Sequence, residues 1–310
     1  MFILALIYCF ILFIILGERD NDYITRLANE LEDEFQRIGP HRVCAFVAET
    51  VGGSSTGCAT AIPGYFKAMQ AVCQRHGALL ILDEVMCGMG RTGTMHAWEQ
   101  EGVVPDIQTV GKGLGGGYAP ISAVLINKWM VTALQEGGKD FAHGQTYMAH
   151  PLSAAAALKV QRIIQTEDLL GNVRCMGQYL EAQLKQKLSG HRYVGDIRGR
   201  GLFWAVEFVA DKGTKTPFPA ALNLHSRLHS KGLSKGYELA LFNAPGAADG
   251  YSGDHIVLAP PYIVNEADID DIVERLVRVI DDTFKDLDLG FARLSKCNIS
   301  GNMAEKGPKA

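Results

Sequence analysis

The 310-residue sequence has no excess of charge of either sign: 30 Lys and Arg stand against 34 Asp and Glu, a formal net charge of -4. A balance this close gives no electrostatic footprint for nucleic acid or for a strongly acidic substrate. Cysteines at ligand spacing are also lacking. The seven cysteines stand at 9, 44, 58, 73, 87, 175 and 297, too far apart for a zinc or dithiol pair. Odd in number and sparse, they do not make a secreted disulfide scaffold, and free thiols in a reducing compartment are expected. There is no internal repeat and no low-complexity tract. With 47% hydrophobic and 21% charged residues, disorder and a polytopic membrane protein are both excluded. The length suggests about two domains. Glycine is abundant, at 34 residues. It is clustered rather than periodic, which points to special backbone positions and not to a linker or collagen.

The single long apolar run is MFILALIYCFILFIIL, residues 1–16. As a helix it spans roughly 24 Å at about 1.5 Å per residue, short of the about 20 residues of a comfortable bilayer crossing. It has no basic stretch before it and no small-residue cleavage site after it. Three readings stand: a short membrane anchor, an uncleaved signal-like segment, or sequence outside the fold, such as a mis-assigned gene start. Nothing beyond Gly17 looks extracellular, which favours the third. Membrane contact is expected, if at all, only through residues 1–16, and the cytoplasm or mitochondrial interior is the expected location.

Beyond that run the chain alternates helix and strand. Tyr23, Ile24, Leu27, Leu31, Phe35 and Ile38 recur at helical spacing up to Gly39-Pro40. Val43–Ala48 is a short apolar run ending in Glu49, as in a strand buried on both faces. A glycine-rich turn follows at 52–57, then a helix opened by Pro63 and closed at Gly77. A second buried strand, Ala78–Leu82, ends in Asp83-Glu84. Residues 107–110 and 121–126 are further strand candidates. This is the pattern of an α/β domain with a largely parallel sheet. Residues 151–188 read as one long helical stretch, 201–209 as a strand, 219–231 and 265–284 as amphipathic helices, and 255–259 as a strand between them. The expected domains are an apolar segment (1–17), a partial large domain (18–165), a linking helix with a smaller α+β C-terminal domain (166–287) and a tail without clear period (288–310).

Ligands in open α/β sheets bind at the carboxyl ends of the strands. Asp83 and Lys112 both follow strand candidates there. Lys112 lies among Gly111, Gly113, Gly115, Gly116 and Gly117, where backbone can approach a flat ligand. A desolvated lysine gives up its proton more readily and attacks aldehydes. A carboxylate at a buried strand end can keep a ring nitrogen protonated. Together these are the two requirements of pyridoxal-phosphate chemistry. Each has a plainer reading: Asp83-Glu84 as a solvated strand end, the glycine loop as a phosphate cradle. The loop does not fit a P-loop, because no glycine lies five residues before Gly111 and no Ser or Thr follows Lys112. His225 and His229, at i and i+4, lack a third metal ligand and read as a surface helix. Asn298-Ile299-Ser300 fits a glycosylation sequon that matters only in a secreted protein.

The ordered motifs are more specific than any one of them. Leu82–Gly93 (LDEVMCGMGRTG), Gly102–Ile107, Gly111–Pro120, His143–Tyr147 with His150-Pro151, Gly253-Asp254-His255, Ala259-Pro260-Pro261 and Asp268-Ile269-Asp270 resemble the landmarks of the class III pyridoxal-phosphate-dependent aminotransferases, over roughly residues 20–287. The resemblance implies the fold-type-I architecture, with a mostly parallel, here incomplete, large domain and a smaller C-terminal domain, in a homodimer. It implies pyridoxal 5'-phosphate as cofactor, Lys112 as the Schiff-base lysine, Asp83 beside the pyridine nitrogen and Val85 against the ring. It further implies that Thr146 serves the cofactor phosphate of the neighbouring subunit and that Glu49 is the family's active-site glutamate. The implied reaction is ping-pong transamination between an amine or amino acid and a keto acid.

Departures from the family pattern are visible. Thr50 stands where a proline usually follows the glutamate, and Met86 where glutamine is frequent. Val257 replaces an arginine that holds the carboxylate of α-amino acids in many members. The N-terminal part of the family, with a Gly-Ser/Thr phosphate turn and a stacking aromatic, is not visible before Asp20, and its loss is expected to weaken cofactor binding. Two alternatives stand beside the aminotransferase: a lyase or racemase using the same Lys112 and Asp83, and a truncated non-catalytic fragment.

Overall fold

The computed structural model describes residues 2–5, 18–138 and 143–301. The first sheet is β1 (Phe2–Ala5), β2 (Val43–Glu49), β3 (Leu79–Asp83), β4 (Ile107–Val110) and β5 (Ala123–Ile126), in that spatial order. β1 to β4 run parallel, and β5 returns antiparallel along β4. Four residues of the apolar segment thus pair with β2, while residues 6–17 lie outside the described ones. Among the described residues no helix is long and apolar enough to cross a membrane.

Helix α1 (Asp20–Ile38) buries Tyr23, Leu27, Leu31 and Phe35, the stripe its 3.6-residue period requires. Helix α2 (Tyr65–His76) buries Tyr65, Phe66, Met69 and Val72 and stops at Gly77, whose φ of 65° a residue with a Cβ seldom adopts. Both helices pack on Phe46, Leu80 and Leu82 of the strands in one continuous core. Helix α3 (Lys128–Glu136) follows β5, capped by the Asn127 side chain.

The long helical stretch expected over 151–188 is two helices, α4 (Pro151–Thr166) and α5 (Leu169–Leu188). The chain breaks at Asp168, whose φ of 45° is left-handed and whose carboxylate receives the Gly171 N–H. The second sheet is antiparallel, from β6 (Val194–Arg200), β7 (Phe203–Asp211), β9 (Phe242–Ala244) and β10 (His255–Leu258) in the order β6-β7-β10-β9, with the short β8 (Thr216–Pro217) beside β7. Helices α5, α6 (Leu224–Leu233) and α7 (Glu266–Gly301) cover it, and Val173, Leu180, Trp204, Phe208, Ile256, Val273 and Ile280 form its core. The tail read as aperiodic from Asp288 continues α7 to Gly301. Residues 302–310 lie outside the described ones. The sequon at 298–300 falls within α7.

Candidate active site

Three strands deliver the candidate residues to one edge. Glu49 closes β2 and Asp83 closes β3, and the two are register partners. Asp83 is in turn the partner of Thr109 on β4, three residues before Lys112. Adjacent strands lie about 4.8 Å apart, so Glu49, Asp83 and the lysine loop share a short stretch of sheet edge. Their charges feel one another. Burial pushes the Glu49 carboxyl above the ordinary range, and Asp83 adds to the push. The Gly53 amide and the Lys112 charge oppose it.

Asp83 is half-buried, and its Oδ1 accepts the Val85 N–H at 2.9 Å. A short carboxylate bonding two residues onward is a common turn device, and it fixes the Asp83 rotamer. Val85 packs against the lysine loop: a Cβ added to Gly111 would lie 3.4 Å from its Cγ1. Lys112 itself has φ of 38°, an uncommon conformation for a residue with a side chain. The loop after it is braced by Gln161 of α4, whose Nε2 donates to the Leu114 carbonyl at 3.0 Å. The sequence predicts a desolvated lysine, but Lys112 is exposed among the described residues.

Glu49 is held from the turn that follows it. The Gly53 N–H donates to Glu49 Oε2 at 2.8 Å. A Cβ at Gly53 would sit 2.5 Å from Met86 Sδ and 2.9 Å from Glu49 Oε1. Only glycine allows this approach, and Met86 fills the space beside it. Thr146 lies in an exposed turn after residues 139–142, which are not described.

The plainer alternative for Asp83-Glu84 in the sequence is a strand end that water solvates. Glu84 corrects it: the side chain is fully buried. Thr50 Oγ1, the Ala97 and Trp98 amides and Gln108 Nε2 all donate to it, at 2.8, 2.8, 2.7 and 2.7 Å. Burial pushes its carboxyl up while these donors pull it back. The hub joins the start of the 50–57 turn, β4 and the 97–100 segment behind Asp83. Thr50 thus has a partner of its own at the position that departs from the family pattern.

Arg91, within the 82–93 motif, and Tyr262, given no role in the sequence, tie the segment after β3 to residues 202 and 260–262. Arg91 Nη1 donates to the Leu202 and Pro260 carbonyls at 3.1 and 2.6 Å, and the guanidinium lies 4.5 Å from the centre of the Tyr262 ring. The Tyr262 hydroxyl donates to the Met89 carbonyl at 3.0 Å. The two histidines of α6 serve structure: His225 pairs with Asp254 at 2.6 Å and His229 with the Leu241 carbonyl at 2.6 Å. Among the described residues no group of three or more His, Cys, Asp or Glu could hold a metal ion.

The profile of the class III aminotransferases matches residues 12–280. An uncharacterised aminotransferase of Schizosaccharomyces pombe is 49% identical over 267 residues, covering 86% of this chain and 58% of the relative. A gamma aminobutyrate transaminase of Solanum lycopersicum is 34% identical over 274 residues, with 87% and 57% covered. Among solved structures, a thermostable (S)-enantioselective omega-transaminase from Thermomicrobium roseum superposes with a TM-score of 0.78 at 35% identity, covering 86% of this chain and 57% of that one. The chain therefore spans somewhat over half the length of the proteins it matches. Its strand-end lysine and carboxylates stand on a sheet shared with those structures, and the chain belongs to the class III aminotransferase family.

Proposed function

We propose that this chain carries the lysine-bearing site of a pyridoxal-phosphate-dependent aminotransferase, which moves an amino group from an amine or amino acid to a keto acid. The observation that supports it is the convergence of Glu49, Asp83 and Lys112 on one sheet edge. The groups present suit the cofactor. Asp83 has one oxygen tied to Val85 N, and its Oδ2 accepts no hydrogen bond from the described residues. The Lys112 amine likewise makes no hydrogen bond or ion pair with them. A free amine, a half-free carboxylate and an apolar Val85 beside the loop are the donor set a pyridinium aldehyde needs.

When bound, the cofactor supplies an aldehyde that takes up amino groups and a ring that accepts electrons. Lys112 Nζ would hold that aldehyde at rest, and during turnover take a proton from the substrate carbon and return it. The Asp83 carboxylate would keep the ring nitrogen protonated. Val85 would cover one ring face, and Glu49 would close the substrate side. Thr146 would act on the phosphate of a neighbouring subunit in a homodimer, which accords with its exposure. Val257 is 2% exposed and packed among Val51, Phe203 and Ala205, so a substrate carboxylate is not held from that position.

The test is reduction of the purified chain with borohydride in the presence of pyridoxal phosphate, followed by peptide mapping. Label confined to Lys112 is the expected result, lost in Lys112→Ala. Label scattered over surface lysines, or none, overturns the reading.

A further inference from the structure

Where the C-terminal sheet meets the 52–57 turn lies a cluster of buried polar groups that the chemistry above leaves unused. Arg198 on β6 and His255 on β10 are 5% and 0% exposed. Both leave their own domain to grip the backbone of the turn. Arg198 Nη2 donates to the Thr56 carbonyl at 2.8 Å, and His255 Nε2 lies 2.8 Å from the Ser54 carbonyl. A carbonyl only accepts, so Nε2 carries the ring proton and Nδ1 is bare. Arg198 is itself fixed by Asp196 and Glu207. The ring fits closely against the turn: a Cβ added to Gly57, where φ is 58°, would lie 2.7 Å from His255 Cδ2.

The cluster also holds unmatched groups. Thr56 Oγ1, Arg198 Nε and His255 Nδ1 have no hydrogen-bond partner among the described residues. Buried polar atoms almost always have one, and a buried ion pair is in itself weak evidence of a stabilising role. The bonds from Arg198 Nη2 and His255 Nε2 both end on the turn, and the turn ends on Glu49 through the Gly53 N–H.

We propose that His255, assisted by Arg198, is a positioning residue for Glu49. The C-terminal domain grips the Ser54 and Thr56 carbonyls and thereby fixes the Gly53 amide against the Glu49 carboxylate. The proposal rests on the reading of Glu49 as a site residue. It also makes the geometry of that carboxylate depend on how the second domain docks.

The test is amide hydrogen exchange of the cofactor-free full chain, resolved over residues 49–58, in wild type, His255→Leu and His255→Gln, with thermal unfolding midpoints recorded for each. His255→Leu removes the donor, while glutamine keeps an N–H able to reach Ser54. Expected is exchange at Gly53 and its neighbours roughly tenfold faster in His255→Leu, the scale of one or two lost hydrogen bonds, with recovery to near wild type in His255→Gln. Wild-type protection in His255→Leu, or no recovery in His255→Gln, overturns the proposal. If His255→Leu does not fold, Gly57→Ala, which wedges the ring off the turn, takes its place, and unchanged exchange there overturns it equally. Cofactor binding by the wild-type chain, followed separately, bears on the aminotransferase reading alone.

Discussion

Removal of the Glu84 carboxylate is the sharpest test of how the site edge is built. In Glu84→Ala four donors lose their acceptor. The Thr50 hydroxyl can rotate, and Gln108 keeps contacts with the Trp98 indole and His96. The Ala97 and Trp98 backbone amides can do neither, since the 97–100 segment is fixed by its own turn. An orphaned buried donor costs about 1–3 kcal/mol. Two of them, partly offset by the relief of a buried charge, give a loss of about 3–5 kcal/mol, comparable with breaking a buried ion pair. Glu84→Gln should lose less, about 1–2 kcal/mol, because its amide oxygen still serves one of the two backbone amides, which bond to different carboxylate oxygens (Trp98 to Oε1, Ala97 to Oε2), and only the other faces its NH2. The assay is urea unfolding followed by tryptophan fluorescence, with Trp98 beside the lesion. A loss below about 1 kcal/mol in Glu84→Ala would refute the hub as described, as would a glutamine variant no better than alanine.

Other consequences are equally direct. Burial lowers the His255 pKa from 6.5 to about 4, with the Arg198 charge adding to the fall and Asp254 opposing it. For a base with a depressed folded pKa, stability is present above 6.5 and lost as pH falls from there towards 4. Wild type should therefore lose about 2 kcal/mol between pH 7 and pH 5 that His255→Gln does not, and parallel pH curves would sink this account. Gly53→Ala should cost about 1–3 kcal/mol by overpacking, most of it regained in the Gly53→Ala, Met86→Ala double variant; no regain would mean that the clash is with Glu49 instead. Asp83→Asn should leave borohydride trapping at Lys112 intact yet slow amine conversion by roughly two orders of magnitude, the scale of a lost proton-holding group. Spectra of the bound cofactor during a half-reaction would decide it.

Much of this was written locally in the chain. Helix α1 and strands β2 and β3 follow from apolar period and glycine punctuation, and the strand ends then place Asp83 and Lys112. β6 was not legible, because Val194-Gly195-Asp196-Ile197-Arg198-Gly199-Arg200 carries three charges and two glycines, and its buried Arg198 finds partners only through the fold. The break between α4 and α5 was hidden too, since only the left-handed backbone of Asp168 marks it. Glu84 looked solvated for a similar reason: its donors come from residues 50, 97, 98 and 108, which adjoin it only through the fold. Arg198 and His255 lie 142 and 201 residues from the carbonyls they grip. No local pattern announces such pairs.

The left-handed backbone at Lys112 sets stability against side-chain identity. A side chain held at that φ costs on the order of 1–2 kcal/mol, which glycine would not incur. Lys112→Gly is thus a position where a sturdier fold and a lost amine come from one codon change. At this position the stability of the backbone and the proposed chemistry of the amine pull in opposite directions.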